Sequence, residues 1–132
     1  MPIERKSLYP RGISHGNPVP GGVKIGNLLF SSMVLGMRNP DQSRSPADAE
    51  EEATWMFRNM KELVETAGGT TDNIAFVTVY LKPDADRDTV VGALNKAWVT
   101  MFPDEDSRPA RGLFTREQGS NYSSQVIAVF ED

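Results

Sequence analysis

An arginine at the mouth of an apolar run needs a partner for its charge. Arg111 stands in such a place, in Ser107-Arg108-Pro109-Ala110-Arg111-Gly112-Leu113-Phe114. Two chemistries answer that need. One is an ion pair with one of the chain's 18 acidic residues. The other is a bound carboxylate, which a planar guanidinium meets through two parallel hydrogen bonds. Gly112 beside it leaves backbone amides open to a ligand. Arg108 fits the ion-pair reading, because Asp104, Glu105 and Asp106 precede it in the same loop. Ser32 interrupts the apolar run around Phe30 and Met33, with no histidine or lysine near it in sequence to activate it as a nucleophile. Gln125 shares a strand face with Ile127 and Val129, so a buried amide there needs a partner from the protein or from a ligand. Asn95 falls inside a helical stretch, where a solvated position is the ordinary alternative to a ligand contact. His15, the only histidine, sits in a Pro/Gly-rich loop that favours a surface or loop role over acid–base catalysis.

What the chain lacks narrows the function classes. With one histidine and no cysteine it has neither a histidine-rich nor a thiolate metal site, so no metal is expected. No Gly-rich phosphate fingerprint, His-Glu-x-x-His or Gly-x-Ser-x-Gly motif occurs. The formal net charge of −4 and the absence of a basic run argue against nucleic acid as a partner. MPIERKSLYP lacks the apolar core of a signal peptide, and no run approaches the ~20 residues that span a bilayer. No membrane partner is expected, and the cytoplasm is the expected compartment.

The elements that must position these residues follow from pattern. A length of 132 residues, 39% of them hydrophobic, predicts a single domain over 1–132 with one proper core. Residues 1–16 read as irregular. Val23-Lys24-Ile25 and Leu28 to Val34 flank Gly26-Asn27, a hairpin pattern. Ser45-Pro46-Ala47-Asp48 reads as a helix start, with Ser45 as cap and Pro46 at the first helical position. Asp48, Glu50, Glu51 and Glu52 suit the positive end of the helix dipole. Ala49, Ala53, Met56, Met60, Leu63 and Ala67 form one apolar stripe, which Gly68-Gly69 ends. Ile74 to Leu81 reads as a strand, and Asp86 or Asp88 to Met101 as a second helix buried through Val91, Leu94, Trp98 and Met101. Ala110 to Thr115 and Tyr122 to Phe130 complete the strands, the last apolar on both faces at its end and therefore central. The order β-β-α-β-α-β-β predicts a two-layer α+β domain: a sheet of about five to six strands with both helices on one face. The other face, left uncovered, predicts self-association.

Several of these pieces together resemble the Rid family, the reactive intermediate deaminases, also called YjgF and once labelled L-PSP endoribonucleases. They are Val23 to Ser32, Asn59 to Gly69, Val77 to Leu81, Leu94 to Trp98, and Arg108-Pro109-Ala110-Arg111, in that order and spacing. The resemblance covers roughly residues 17–130. It implies a chorismate-mutase-like fold and a homotrimer with ligand sites in the clefts between subunits. It implies hydrolysis of enamines and imines to 2-oxo acids and ammonia, without metal or cofactor. Arg111 matches the arginine that grips the substrate carboxylate, and Ser32 and Asn95 match polar residues of the cleft.

The chain departs from the family pattern at three positions. Val19 stands at the tyrosine of the Gly-Pro-Tyr loop. Leu113 stands at the cysteine that follows the arginine. Gln125 stands at the glutamate that positions the hydrolytic water. A carboxylate can accept a proton from that water, whereas an amide only orients it. The expectation is therefore a small-carboxylate binder, with Arg111 and Gln125 as the catalytic pair. Gly112, Ser32, Asn95, Val19 and Leu113 complete the binding cleft. The activity is read as an imine or enamine deaminase. A non-catalytic sensor or buffering trimer is the alternative, and ribonuclease action a third reading that the acidic charge disfavours.

Overall fold

A computed structural model describes residues 2–14, 16–83 and 86–131. The elements run β1 (Arg5–Leu8), β2 (Gly22–Ile25), β3 (Leu28–Ser31), α1 (Ala49–Thr66), β4 (Ile74–Leu81), α2 (Arg87–Met101), β5 (Ala110–Thr115) and β6 (Tyr122–Val129). The order thus gains one strand ahead of the expected series, inside the segment 1–16 that reads as irregular. Only Leu8 of β1 is buried, and the strand pairs antiparallel with β2 at the sheet edge. Four residues with charges at two of them carry too little alternation to show as a strand pattern. His15 lies outside the described residues.

The six strands form one sheet in the order β1-β2-β3-β6-β4-β5. As its apolar end predicts, β6 is central, with β3 and β4 on either side. Gly26, at φ 59°, turns the β2–β3 hairpin, where Ile25 pairs with Leu28 across a two-residue loop. A glycine with positive φ at the first loop position matches the right-handed twist of the flanking strands. The one parallel pair, β4 with β5, needs a crossover, and α2 provides it.

The cap of α1 differs from the sequence reading. Asp48, not Ser45, accepts a hydrogen bond from the Glu51 amide at 2.9 Å. The Glu51 carboxylate reaches back to the Ala47 amide at 2.9 Å and pairs with Arg44. The cap is therefore shifted by three residues, because the Asp48 carboxylate meets the Glu51 amide of the first turn while Glu51 holds the residue ahead of the cap. The predicted stripe holds: Ala53, Met56, Met60 and Leu63 are fully buried. They pack on Leu29, Val77, Val79, Leu81, Val126 and Ala128 of the sheet, together with Leu94 and Trp98 of α2.

The opposite sheet face carries no helix, and its two ends differ. At one end Leu28, Phe30, Phe76, Ile127 and Val129 are exposed and adjoin in register. At the other, Thr78 pairs with Gln125 and with Gly112, and Tyr80 pairs with Ser123 and with Phe114.

Candidate functional site

Arg111 aligns with inward-facing Val77, so its side chain lies on the helix side of edge strand β5. There its guanidinium carbon stacks 4.8 Å from the centroid of the Trp98 ring. Trp98 is itself held edge-on by Phe57, at a centroid distance of 5.8 Å, and by the tilted ring of Phe102 at 4.8 Å. Stacking answers part of the cation's need. It leaves the hydrogen-bond donors unused: Arg111 Nη1 is shut off from solvent and has no partner. Among the described residues Arg111 makes no ion pair. Burial holds the guanidinium below the ordinary arginine value. An arginine keeps its charge even so. The arrangement is a positive, partly desolvated fork with one idle donor, suited to a planar oxyanion.

Arg108 departs from the expected ion pair. Its Nε donates to the Phe102 carbonyl at 2.8 Å. Of the three acids in that loop, Asp104 is engaged locally, since it accepts from the Asp106 amide and from the Ser107 hydroxyl.

The other expected site residues fall into three groups. Leu113 lies on the strand of Arg111, and Asn95 on the helix that carries the arginine's stacking partner Trp98. Leu113 shares its face of β5 and packs against the core. Asn95 is exposed on α2, one turn before Trp98. Ser32 and Val19 form a second group beyond β3. Ser32 Oγ donates to the Pro20 carbonyl at 2.7 Å, next to exposed Val19. Between β3 and β5 stand β6 and β4, a separation of roughly 14 Å at ordinary strand spacing. One chain therefore does not bring Ser32 and Val19 to Arg111. Gly112 and Gln125 form the third group, on the uncovered face. A Cβ on Gly112 would stand 3.0 Å from the ring of exposed Phe114, a tight approach that the ring would have to relieve by a small shift. Gln125 is exposed rather than buried, and its Oε1 accepts from the Tyr80 hydroxyl at 3.1 Å.

Two buried polar residues of α1 escape the sequence reading. Glu52 is 3% exposed and accepts from Asn121 Nδ2 and from the Tyr122 amide, both at 3.0 Å. Burial raises its carboxyl above the usual range, opposed by those two bonds and by the charge of Lys82. Asn59 donates from Nδ2 to the carbonyls of Leu35 and Arg38, each at 2.9 Å. A signal for both was present, since each stands four residues before a member of the apolar stripe, Met56 and Leu63. Among the described residues no cluster of acidic, histidine or cysteine side chains has the makings of a metal site, and no helix is long and apolar enough to cross a membrane.

The pattern of the family described as endoribonuclease L-PSP matches residues 14–117. The chain belongs to this family, known also as YjgF or Rid. A RutC family protein of Aquifex aeolicus is 30% identical over 120 residues, which cover 85% of this chain and 92% of that protein. The 2-iminobutanoate/2-iminopropanoate deaminase of Escherichia coli is 32% identical over 95 residues, covering 71% of this chain and 70% of the relative. Among solved structures, E. coli TdcF with bound serine superposes with a TM-score of 0.80 at 22% identity, covering 96% of this chain and all of that one. The chorismate-mutase-like fold of the Rid family is therefore the fold of this chain.

Proposed function

We propose that copies of this chain assemble as a homotrimer whose clefts bind a small carboxylate bearing an imine or enamine group and hydrolyse its carbon–nitrogen bond. The observation that carries this reading is the partnerless Nη1 of Arg111, a buried donor beside a sheet edge. The substrate carboxylate completes the hydrogen bonding of Arg111, and Asn95 and Leu113 flank it. Ser32 and Val19, too distant in one chain, belong to the adjoining copy. The deaminase activity named for relatives at about this identity supports the same chemistry.

In that reaction water adds to the electrophilic imine carbon and its proton passes to nitrogen. The resulting carbinolamine expels ammonia and leaves a 2-oxo acid. An enamine joins the route after protonation at carbon. Gln125 lies on the sheet face opposite Arg111 in one chain, so it too serves the ligand from the adjoining copy. There it orients water or substrate rather than deprotonating it, because an amide has no basic site to offer. The test is ammonia release from freshly generated 2-iminopropanoate and 2-iminobutanoate. Acceleration that Arg111→Ala abolishes is the expected result. No release above background, with Arg111→Ala behaving as wild type, would reject the reading.

Leu113 and Gln125 favour a second reading, since neither is an acid or a base. In that reading the assembly binds the carboxylate without turning it over. It predicts ligand binding that depends on Arg111, no deamination, and a gain of activity in Gln125→Glu.

A further inference from the structure

A pocket of about 560 Å³ opens between the segment 33–37 and the turn 116–121. Both walls are irregular chain, and irregular chain holds a shape only when its backbone groups are satisfied. Here α1 reaches beneath each wall. Asn59 bonds the carbonyls of Leu35 and Arg38, and Glu52 bonds the side chain of Asn121 and the amide of Tyr122. Gly36 lies so close to α1 that a Cβ would come within 1.8 Å of the Glu52 carbonyl oxygen. Burying an amide and a carboxylate is costly unless each is bonded. On this helix both are spent on holding loops, and the pocket between those loops is preformed.

Its lining is specific in kind. Met33, Leu35 and Met37 form one wall, the last two exposed by 38% and 42%. Across from them, Ser123 Oγ donates to Gln118 Oε1 at 2.7 Å, and Gln118 Nε2 donates to the Tyr80 carbonyl at 3.0 Å. Gln118 and Ser123 satisfy one another. Arg116, stacked 5.1 Å from the Tyr80 ring centroid, and Glu117 put opposite charges on the turn side and leave the Met–Leu wall as the apolar surface. Thioether and isobutyl groups offer an adaptable apolar surface. The cavity begins at the residue after Ser32, the position that the proposed function sets opposite Arg111 of another copy.

We propose that this pocket receives the apolar side group of the ligand, so that the substrate class is carboxylates bearing a branched aliphatic, thioether or aromatic group. The inference rests on the reading of Arg111 as the carboxylate grip and extends it to the far end of the ligand. The cavity has far more room than a methyl or ethyl substituent fills, and its walls reward each added carbon.

Calorimetric titration of the intact protein with propanoate, 4-methylpentanoate and 3-phenylpropanoate tests it. The two larger acids are expected to bind at least ~30-fold more tightly than propanoate, from the transfer of three or more additional carbons. Leu35→Ser combined with Met37→Ser is expected to cut that ratio about tenfold. Met37→Trp, which fills the pocket, should cut it as well and guards against a misfolded double variant. Arg111→Ala should weaken all three acids. A ratio near one, or one unchanged in both pocket variants while Arg111→Ala still weakens every acid, overturns the pocket and leaves the grip standing. Affinities that Arg111→Ala does not change, or no binding at all, overturn the grip and the pocket together.

Discussion

Arg111 holds its place at a cost. A buried N–H without an acceptor typically forfeits about 1–3 kcal/mol, and stacking on Trp98 does not supply that acceptor. Arg111→Met keeps an apolar stem against Trp98 and removes the idle donor. It is expected to raise the stability of the ligand-free protein by about 1 kcal/mol, read as a higher urea midpoint, while carboxylate binding is lost. Glu52 makes the opposite trade, since both of its bonds are used. Glu52→Ala orphans the amide of Tyr122 and the side chain of Asn121 and should cost about 2 kcal/mol. Its pH dependence has a definite sign. Burial holds the folded carboxyl above the ordinary glutamate value of 4.5. The stability it contributes is full below 4.5 and declines as pH rises through the raised folded value. The gap between wild type and Glu52→Ala should therefore be widest below pH 4.5 and narrow as pH rises above it, in urea titrations run at several pH values. The place of Arg111 at the start of β5 was legible because charge, glycine and strand mouth are adjacent in sequence. Its stacking on Trp98 was not, since that contact joins a strand edge to a helix far from it along the chain. Glu52 was hidden in a run of acids, where only its phase relative to Met56 marks it as inward.

At the scale of elements, helices and long strands were readable because their periods repeat. β4 and β5 have the expected bounds, and α2 starts at Arg87, between the two expected places, with Asp86 as its cap. Short or irregular pieces were not. β1 has one buried side chain in four residues, and a single apolar position defines no period. The cap of α1 reads as Ser45, and the use of Asp48 instead goes with the reach of Glu51 to Ala47, which composition does not reveal. Asp48→Ala should destabilise by about 1 kcal/mol. The loop from Gly36 onward reads as polar, yet it is seated against α1 with no space for a methyl group. Gly36→Ala should cost about 3 kcal/mol, a loss visible in thermal melting, and should deform the wall that carries Leu35 and Met37.

For the whole molecule, the uncovered sheet face was legible from the count of two helices against six strands. Its division into an apolar and a polar end was not, because that depends on register. Leu28, Phe30, Phe76, Ile127 and Val129 lie together at the apolar end, all between 37% and 43% exposed. Under the proposed function this end joins the copies. Ile127→Glu is then expected to lower the mass found by sedimentation towards the 14.6 kDa of one chain and to weaken carboxylate binding with it. A Gln125→Glu variant, at the polar end, should keep its mass.

The four strands from β3 to β5 have a consequence for how such a protein responds to its surroundings. Arg111 and Ser32 of one chain lie too far apart to touch the same small acid, so a site built from both exists only where two chains meet. Ligand affinity then becomes a function of protein concentration. Dilution empties the sites at fixed ligand, and added ligand drives dissociated chains back together. Occupancy and assembly become two readings of one equilibrium, and a scarce protein responds only where its ligand is abundant.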